Sequence, residues 1–179
     1  MMETRKAHDR RVREGFYARF LSGKYGLDIG PQNDPITPGC VQWDRPNDAH
    51  DLTRFPDRTF DWVYSSHCLE HLEKPEQALR EWWRVLSAGG YLIVVVPHRD
   101  LYEKSRAMPS RWNGEHKFYC LPDVDEPPCT FGLLPMVRRA IGTGPVLIQL
   151  KTCDEGWTPS PPGVHSQGEY SIELVMRKP

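Results

Sequence analysis

Three short apolar segments that each end in an acidic or small residue are the feature that most limits how this chain can fold. They lie at residues 27–30, 40–44 and 60–66. Short apolar runs are typical of strands buried on both faces, and parallel sheets bring ligand-binding groups to the carboxyl ends of their strands. The pattern therefore predicts a mostly parallel sheet with a small-molecule site along one edge.

The middle of the chain has the pattern of a helix followed by a strand. Residues 75–86 begin with Pro75, which the first turn of a helix tolerates, and carry apolar side chains at helical spacing up to the pair Gly89 and Gly90. The next run, residues 91–96, is continuously apolar and rich in β-branched residues. This order predicts a helix that the glycines end and a buried strand after it.

The remaining elements complete an α/β fold in a single domain, residues 1–179. Residues 133–141 predict a helix, and residues 146–150 and 170–177 predict two strands joined as an antiparallel pair. Short crossovers then favour a doubly wound, mostly parallel, Rossmann-like sheet with an antiparallel last strand. Only residues 31–40, which are rich in proline, separate the first two strands. Because a parallel crossover usually needs about a dozen residues, we expect a shortened first crossover without a helix.

Two segments lie outside this pattern. Residues 1–22 place Val12, Phe16 and Phe20 at helical spacing, which predicts an N-terminal helix that covers the sheet and turns its arginines to solvent. The alternative is a basic arm over the active site or on a polyanion. Residues 98–132 mix charges, aromatics and prolines without periodicity, so we expect an irregular excursion on the substrate side of the sheet.

Composition excludes several classes of function. A net charge of -1 provides no field to attract nucleic acid, so no nucleic-acid partner is expected. The longest apolar run, residues 91–97, is far too short for a membrane span, and the charged N-terminus is unlike a signal peptide. Five scattered cysteines without a CxxC pair indicate reduced thiols and no structural zinc. These features predict a cytoplasmic protein and make no prediction of its oligomeric state.

Several short motifs are shared with one enzyme family. They are Asp28-x-Gly30, Asp44 at the end of the second strand, the pair Asp48 and Ala49, the run 60–71 with its Leu-Glu-His sequence, and Arg-Val-Leu-Ser-Ala-Gly-Gly at 84–90. Together they resemble the class I S-adenosylmethionine-dependent methyltransferases, in particular type 11. The resemblance covers residues 25–97. It departs after Gly30, where the second and third glycines of the family's turn are missing.

The resemblance implies S-adenosylmethionine as cofactor, with S-adenosylhomocysteine as product. It implies that Asp44 accepts the ribose hydroxyls, that Asp48 and Ala49 meet the adenine, and that the turn at Gly30 approaches the amino-acid part. Each aspartate could instead be an ordinary turn residue. The full set of expected cofactor-binding residues is Asp28, Gly30, Pro31, Asp44, Arg45, Asp48, Ala49, Ser66 and His67.

Three histidines are candidates for a general base that takes a proton from a hydroxyl acceptor. They are His67, His98 and His116, and a histidine suits this role because its usual pKa lies near neutrality. His67 could instead only line the cofactor pocket, and His98 could cap the next turn. We expect His71 to be a packing residue. Glu115 beside His116 lacks convincing ligand spacing, as does His98 with Asp100, so we expect a solvated loop and no metal.

The acceptor is expected to contact Tyr102, Arg111, Trp112 and His116, since aromatic rings stack on a ring and arginine pairs with an anion. A looser similarity to small methyltransferases of bacterial polysaccharide clusters points to a small-molecule or glycan acceptor and to O-methylation in polysaccharide biosynthesis. The alternative is a nucleoside-binding protein that has lost catalysis. A nicotinamide-dependent oxidoreductase is disfavoured because no GxGxxG follows the first strand.

Overall fold

The computed structural model describes residues 3–21 and 25–179, which contain two sheets. Six strands form the main sheet in the order β2-β1-β3-β4-β8-β7, and β5 and β6 form a small parallel pair. The first four strands of the main sheet are parallel, whereas β8 runs antiparallel to both β4 and β7. The strands are β1 Gly26–Ile29, β2 Val41–Trp43, β3 Phe60–Ser66, β4 Leu86–Pro97, β5 Tyr119–Leu121, β6 Thr130–Gly132, β7 Val146–Cys153 and β8 Ser171–Arg177.

Helical segments cover both faces of the main sheet. Leu79 and Trp82 of one helix and Val137 of another pack on the face that carries Val63. Phe16, with its neighbours in the N-terminal segment, packs on the opposite face. This three-layer arrangement confirms the predicted α/β class and its Rossmann-like, mixed sheet. The α-helices are α1 Glu3–Lys6, α2 His8–Arg13, α3 Pro75–Arg84 and α4 Leu133–Ile141.

The N-terminal segment is not the single helix that was predicted for residues 1–22. After α2 the chain breaks at Gly15, which has a φ of +67°, and continues as a π-helical turn, Tyr17–Leu21. Phe16 and Phe20 are buried as expected, but Val12 is 55% exposed because the break rotates it away from the sheet. Residues 1, 2 and 22 of the predicted helix lie outside the described residues.

The prediction that the arginines of this segment face solvent is confirmed for Arg5, Arg13 and Arg19 but is wrong for Arg10 and Arg11. Arg10 and Arg11 are buried, and both pair with Glu173 of β8. Arg11 also donates to the hydroxyl of Tyr64 on β3, at 2.9 Å. Carboxylate and phenol groups on the central strands thus stabilise guanidinium groups that the sequence pattern assigns to the surface.

The connections agree with the prediction in one place and differ in two. Residues 31–40, all of them described, form turns without a helix, so the shortened first crossover is confirmed. Helix α3 ends at Arg84, earlier than predicted, because Leu86 already pairs with Phe60 as the start of β4. The excursion at 98–132 contains β5 and β6, whose three residues each are too few to show periodicity. Across the described chain, no helix is long and apolar enough to cross a membrane.

Candidate active site

The candidate site lies at the carboxyl ends of β1 and β3, where the strand order of the sheet reverses. Chain connections leave β1 towards β2 on one side and β3 towards β4 on the other, which opens a crevice at such a point. Two adjoining cavities occupy it, a smaller one of about 340 Å³ and a larger one of about 670 Å³. Both are lined by Gly30, Gln32, His67, His71 and Asn113.

Gly30 shapes the turn after β1. Its φ is +74°, in the left-handed region that favours glycine. A Cβ atom here would lie 2.8 Å from the Cβ atom and 2.9 Å from the Sγ atom of Cys68. Both the backbone conformation and the packing therefore require glycine at this position, and they keep the backbone open to the cavities.

Asp28 lies just before this turn, at the wall of the smaller cavity. One carboxylate oxygen accepts a hydrogen bond from the amide of Ile36 at 2.7 Å, and the other has no partner among the described residues. Burial raises the pKa of Asp28 to about 7. A buried oxygen that faces a cavity without a donor is suited to receive one from a ligand.

The larger cavity carries the other two expected aspartates. Asp44 accepts hydrogen bonds from the backbone amides of Gln32 at 2.6 Å and Arg45 at 2.7 Å, which holds the turn after Gly30 against the end of β2. The carboxylate of Asp48 accepts from the backbone and the ring of His50, at 2.8 and 2.7 Å. Asp48 is therefore a turn residue, as the alternative to cofactor binding predicted, but it also lines the larger cavity.

Two tryptophans fix the loop that carries Asp48 and Ala49. The indole N–H of Trp43 donates to the carbonyl of Asp48 at 2.9 Å, and that of Trp82 donates to the carbonyl of Ala49 at 2.8 Å. Trp82 is fully buried on α3 and Trp43 ends β2. The hydrophobic core therefore positions this loop directly, and the wall of the larger cavity is a rigid part of the fold.

His67 stands where the two cavities meet. Its φ of +52° is uncommon for a residue other than glycine, and such strain is concentrated at functional sites. Its Nε2 atom is hydrogen-bonded to the hydroxyl of Ser171 at 2.9 Å. Burial lowers the pKa of His67 to about 4, so the ring is neutral at pH 7.

Glu70 is a buried carboxylate surrounded by imidazoles. Neither of its oxygens has a hydrogen-bond partner within the part of the chain that the structure describes. Its Oε1 atom lies 3.8 Å from Nδ1 of His67, 3.8 Å from Nε2 of His71 and 3.9 Å from Nε2 of His116. Burial raises the pKa of Glu70 to about 7. Glu70 and His71 both line the smaller cavity.

His116 was expected in a solvated loop, but the structure buries it. It is 4% exposed, and its Nδ1–H donates to Glu103 at 2.6 Å, while Glu103 also accepts from the hydroxyl of Ser110 at 2.6 Å. The excursion thus packs its histidine inward, against the Leu-Glu-His turn Leu69–His71. Glu115 stays exposed and lies 3.6 Å from Arg45.

The structure brings together most, but not all, of the predicted site residues. His98 and His116 line neither cavity, and Nδ1 of His98 accepts from the amide of Asp100 at 3.1 Å, which is the capping alternative. Arg111 donates to the carbonyl of Pro162 and Trp112 packs on His165, both outside the lining of the two cavities. The residues that do line them are all nine expected cofactor residues, namely Asp28, Gly30, Pro31, Asp44, Arg45, Asp48, Ala49, Ser66 and His67, together with Tyr102.

Sequence reasoning missed several residues of the smaller cavity. Tyr170 donates to Glu3 at 2.6 Å across 167 positions of sequence, and no local pattern signals such a contact. Glu70 stood inside the Leu-Glu-His motif without an assigned role, and His71 beside it was expected only to pack. Charged residues are almost never fully buried unless paired, and nothing in the polar sequence that follows Glu70 signals its burial.

Comparisons with known proteins agree with this geometry. Residues 13–94 match the family model described as a methyltransferase domain. Ajmaline N-methyltransferase of Rauvolfia serpentina is 34% identical over 93 residues, which are 46% of this chain and 31% of that protein. The ubiquinone/menaquinone biosynthesis C-methyltransferase of an Enterobacter species is 35% identical over 72 residues, 40% of this chain and 27% of that protein. This chain thus spans about a third of the length of these curated relatives.

The fold extends the likeness beyond the matched region. A solved structure of a proposed methyltransferase from Bacillus halodurans shares it with a TM-score of 0.60 at 15% identity, over 96% of this chain and 99% of that one. Residues 13–94 therefore resemble a methyltransferase domain in sequence, and nearly the whole chain shares the fold of a solved structure of that kind. The match over residues 13–94 is to a methyltransferase domain, which implies S-adenosylmethionine as the cofactor.

Proposed function

We propose that this chain transfers the methyl group of S-adenosylmethionine to a hydroxyl of a small, neutral, polar acceptor such as a sugar. One observation carries the proposal: the cavity lined by Asp44 and Asp48 adjoins the cavity lined by Glu70 and Tyr102, and Gly30 and His67 line both. A donor site and an acceptor site therefore share a boundary at which methyl transfer would take place.

The larger cavity suits the nucleoside part of the cofactor. Each oxygen of Asp44 accepts one backbone hydrogen bond and keeps a second lone pair for a ribose hydroxyl. Asp48 and Ala49 lie on the loop that the tryptophans fix, where they would meet the adenine. When bound, S-adenosylmethionine supplies a methyl group activated by its positive sulfur. The open turn at Gly30 would admit the amino-acid part, beside the free oxygen of Asp28.

The smaller cavity suits a neutral acceptor rich in hydroxyl groups. Among residues 3–21 and 25–179, no arginine or lysine lines it, so it offers no cation for a phosphate. Its walls combine the aromatic rings of Tyr102, His165 and Tyr170 with amides and carboxylates. Rings of this kind stack on the apolar face of a sugar, and the polar groups bind its hydroxyls. The phosphate-bearing acceptor that Arg111 suggested is therefore disfavoured.

His67 is the proposed proton acceptor. It lines both cavities and is neutral at pH 7, although the burial that lowers its pKa to about 4 also makes it a weaker base than a free histidine. His67 would take the proton of the acceptor hydroxyl, and bound S-adenosylmethionine would supply the methyl group, with the electron pair of the carbon–sulfur bond remaining on sulfur. Holding the reactants in line accounts for most of the acceleration, since oriented reactants gain roughly 7–11 kcal/mol.

A panel assay tests this function. The full chain is incubated with S-adenosylmethionine that carries a ¹³C-labelled methyl group and with neutral sugars, sugar phosphates, amines and phenols, and product mass is measured. We expect labelled O-methyl ethers from neutral sugars and a loss of turnover of roughly 10²- to 10⁴-fold in His67→Ala, with His98→Ala as the control. Exclusive labelling of amines would contradict the proposal. Cofactor binding without turnover on every acceptor would instead support a catalytically inactive protein.

A further inference from the structure

We propose that Glu70, His71 and His116 form a binding site for one divalent transition-metal ion at the acceptor end of the active site. The role of the metal in catalysis rests on the proposed function, whereas the metal-binding site itself does not depend on that function. No other group of three histidine, cysteine or acidic ligands is this close together in the described part of the chain.

The spacing of the three ligand atoms fits a metal. They all lie within 4.8 Å of one another, and the carboxylate oxygen of Glu70 is 3.8 Å from His71 and 3.9 Å from His116. A tetrahedral ion with bonds of about 2.0–2.1 Å spaces its ligands roughly 3.4 Å apart, so small side-chain rotations would close the site. The present distances are too long for hydrogen bonds between these groups.

A second observation, independent of the spacing, is that Glu70 lacks hydrogen-bond partners among the described residues. This carboxylate is completely buried, and both of its oxygens lack a hydrogen-bond partner within the described residues. A buried acidic group is normally paired with a cation or bound to a metal. Within the described ranges, no lysine or arginine lines the smaller cavity. The imidazoles of His71 and His116 lie beside Glu70, where a cationic side chain would otherwise pair with it.

A further shell of contacts orients His116 as a ligand. Its Nδ1–H donates to Glu103, which leaves the lone pair of Nε2 directed to Glu70. Metal-binding histidines characteristically donate their other N–H to a carboxylate in this way. Glu103 is itself buried and accepts a hydrogen bond from the hydroxyl of Ser110, so contacts within the protein already orient His116.

The ligand set also indicates which ion would bind and what it would do. Two imidazoles and one carboxylate suit zinc and similar first-row ions better than magnesium or calcium. Three protein ligands leave a coordination position open, and Glu70 and His71 line the cavity from which an acceptor hydroxyl could reach it. An ion there would bind that hydroxyl and favour loss of its proton, which His67 could then receive.

Zinc titration of the full chain tests the site. Protein stripped with a chelator is titrated with Zn²⁺ by calorimetry, without cofactor or acceptor, and Mg²⁺ serves as the comparison ion. We expect one zinc per chain, a loss of affinity of at least 100-fold in Glu70→Gln and His116→Ala, and a loss of roughly 10- to 100-fold in Glu103→Gln through the outer shell. His98→Ala, a histidine outside the cavities, should bind like the wild type.

Two readouts keep folding and function separate from the metal. Circular dichroism checks that each variant is folded. Should His116→Ala fail to fold, the test rests on Glu70→Gln, which nearly preserves the shape of the side chain. Wild-type protein that binds no zinc, or Glu70→Gln that binds it as the wild type does, would overturn the site. Binding of S-adenosylhomocysteine is measured in parallel, so that a failure of the proposed function is seen independently of zinc.

Discussion

Two glutamates of this protein are equally inaccessible to solvent, yet their surroundings are opposite. Glu173 on β8 accepts hydrogen bonds from Arg10, Arg11 and Gln149, whereas Glu70 accepts none from the described residues. Burial alone would raise the pKa of Glu173, but the two arginines hold it below its usual value. Burial without such partners raises the pKa of Glu70 to about 7. A buried carboxylate with paired charges stabilises the fold, whereas one without them marks a site for something that binds.

The largest expected effect comes from removing the charge of Glu173. Glu173→Gln leaves two buried guanidinium groups without their shared carboxylate, and breaking a buried pair costs about 3–5 kcal/mol. Urea denaturation should show a loss of this size in the free energy of unfolding. Glu155→Gln is the control, since its pair with Arg13 is exposed on both sides and should not change stability measurably. A small loss in Glu173→Gln would mean that the arginines do not depend on this carboxylate.

Asp28 is an intermediate case, because one of its oxygens has a partner and the other has none. Its pKa is raised from 3.8 to about 7, so the folded state prefers the protonated form. The stability that this group contributes is fully present below about pH 4 and is lost as the pH rises towards 7. Relative to Asp28→Asn, the wild type should therefore lose about 2–3 kcal/mol between pH 5 and 7.5 in urea denaturation. A difference that is constant with pH would contradict the raised pKa.

The smallest expected effect is that of Glu70→Gln on stability. The same substitution that removes the shared carboxylate of two arginines at Glu173 leaves no cation unpaired at Glu70, and the new amide N–H groups face imidazole nitrogens. In the presence of a chelator at pH 7, we expect a change in the free energy of unfolding below about 1 kcal/mol. Denaturation of the two Glu→Gln variants side by side measures the contrast. Equal losses in both would show that Glu70, too, is needed for folding.

The sequence predicted those parts of the molecule that depend on local pattern. The three apolar runs located β1, β2 and β3, and the proline-rich segment 31–40 is too short for a helix, so the sheet and its first crossover followed. The turn at Gly30 was predicted from the resemblance to the methyltransferase motif, and its positive φ and its contact with Cys68 show why glycine is needed there. In each case the physical cause acts within a few residues, where periodicity and turn chemistry can be read.

Contacts between distant residues could not be predicted. The pair of Arg11 with Glu173 joins positions 162 residues apart, and nothing near Arg11 distinguishes it from a surface arginine. His116 and Glu103 meet only because the excursion folds back onto the Leu-Glu-His turn. Val12 was misassigned because the break at Gly15 ends the helical period that Phe16 and Phe20 suggested. These features depend on tertiary packing, which sequence spacing does not contain.

Calorimetric titration with S-adenosylhomocysteine tests the central claim, that the larger cavity holds the nucleoside of the cofactor. We expect the wild type to bind one molecule per chain. Asp44→Ala should weaken binding by about ten- to a hundredfold, the equivalent of losing contacts worth roughly 1.5–3 kcal/mol. Asp51→Ala is the matched control, because the side chain of this nearby turn aspartate is hydrogen-bonded only to Thr53 among the described residues and lines neither cavity. Unchanged affinity in folded Asp44→Ala, or an equal loss in Asp51→Ala, would contradict the claim.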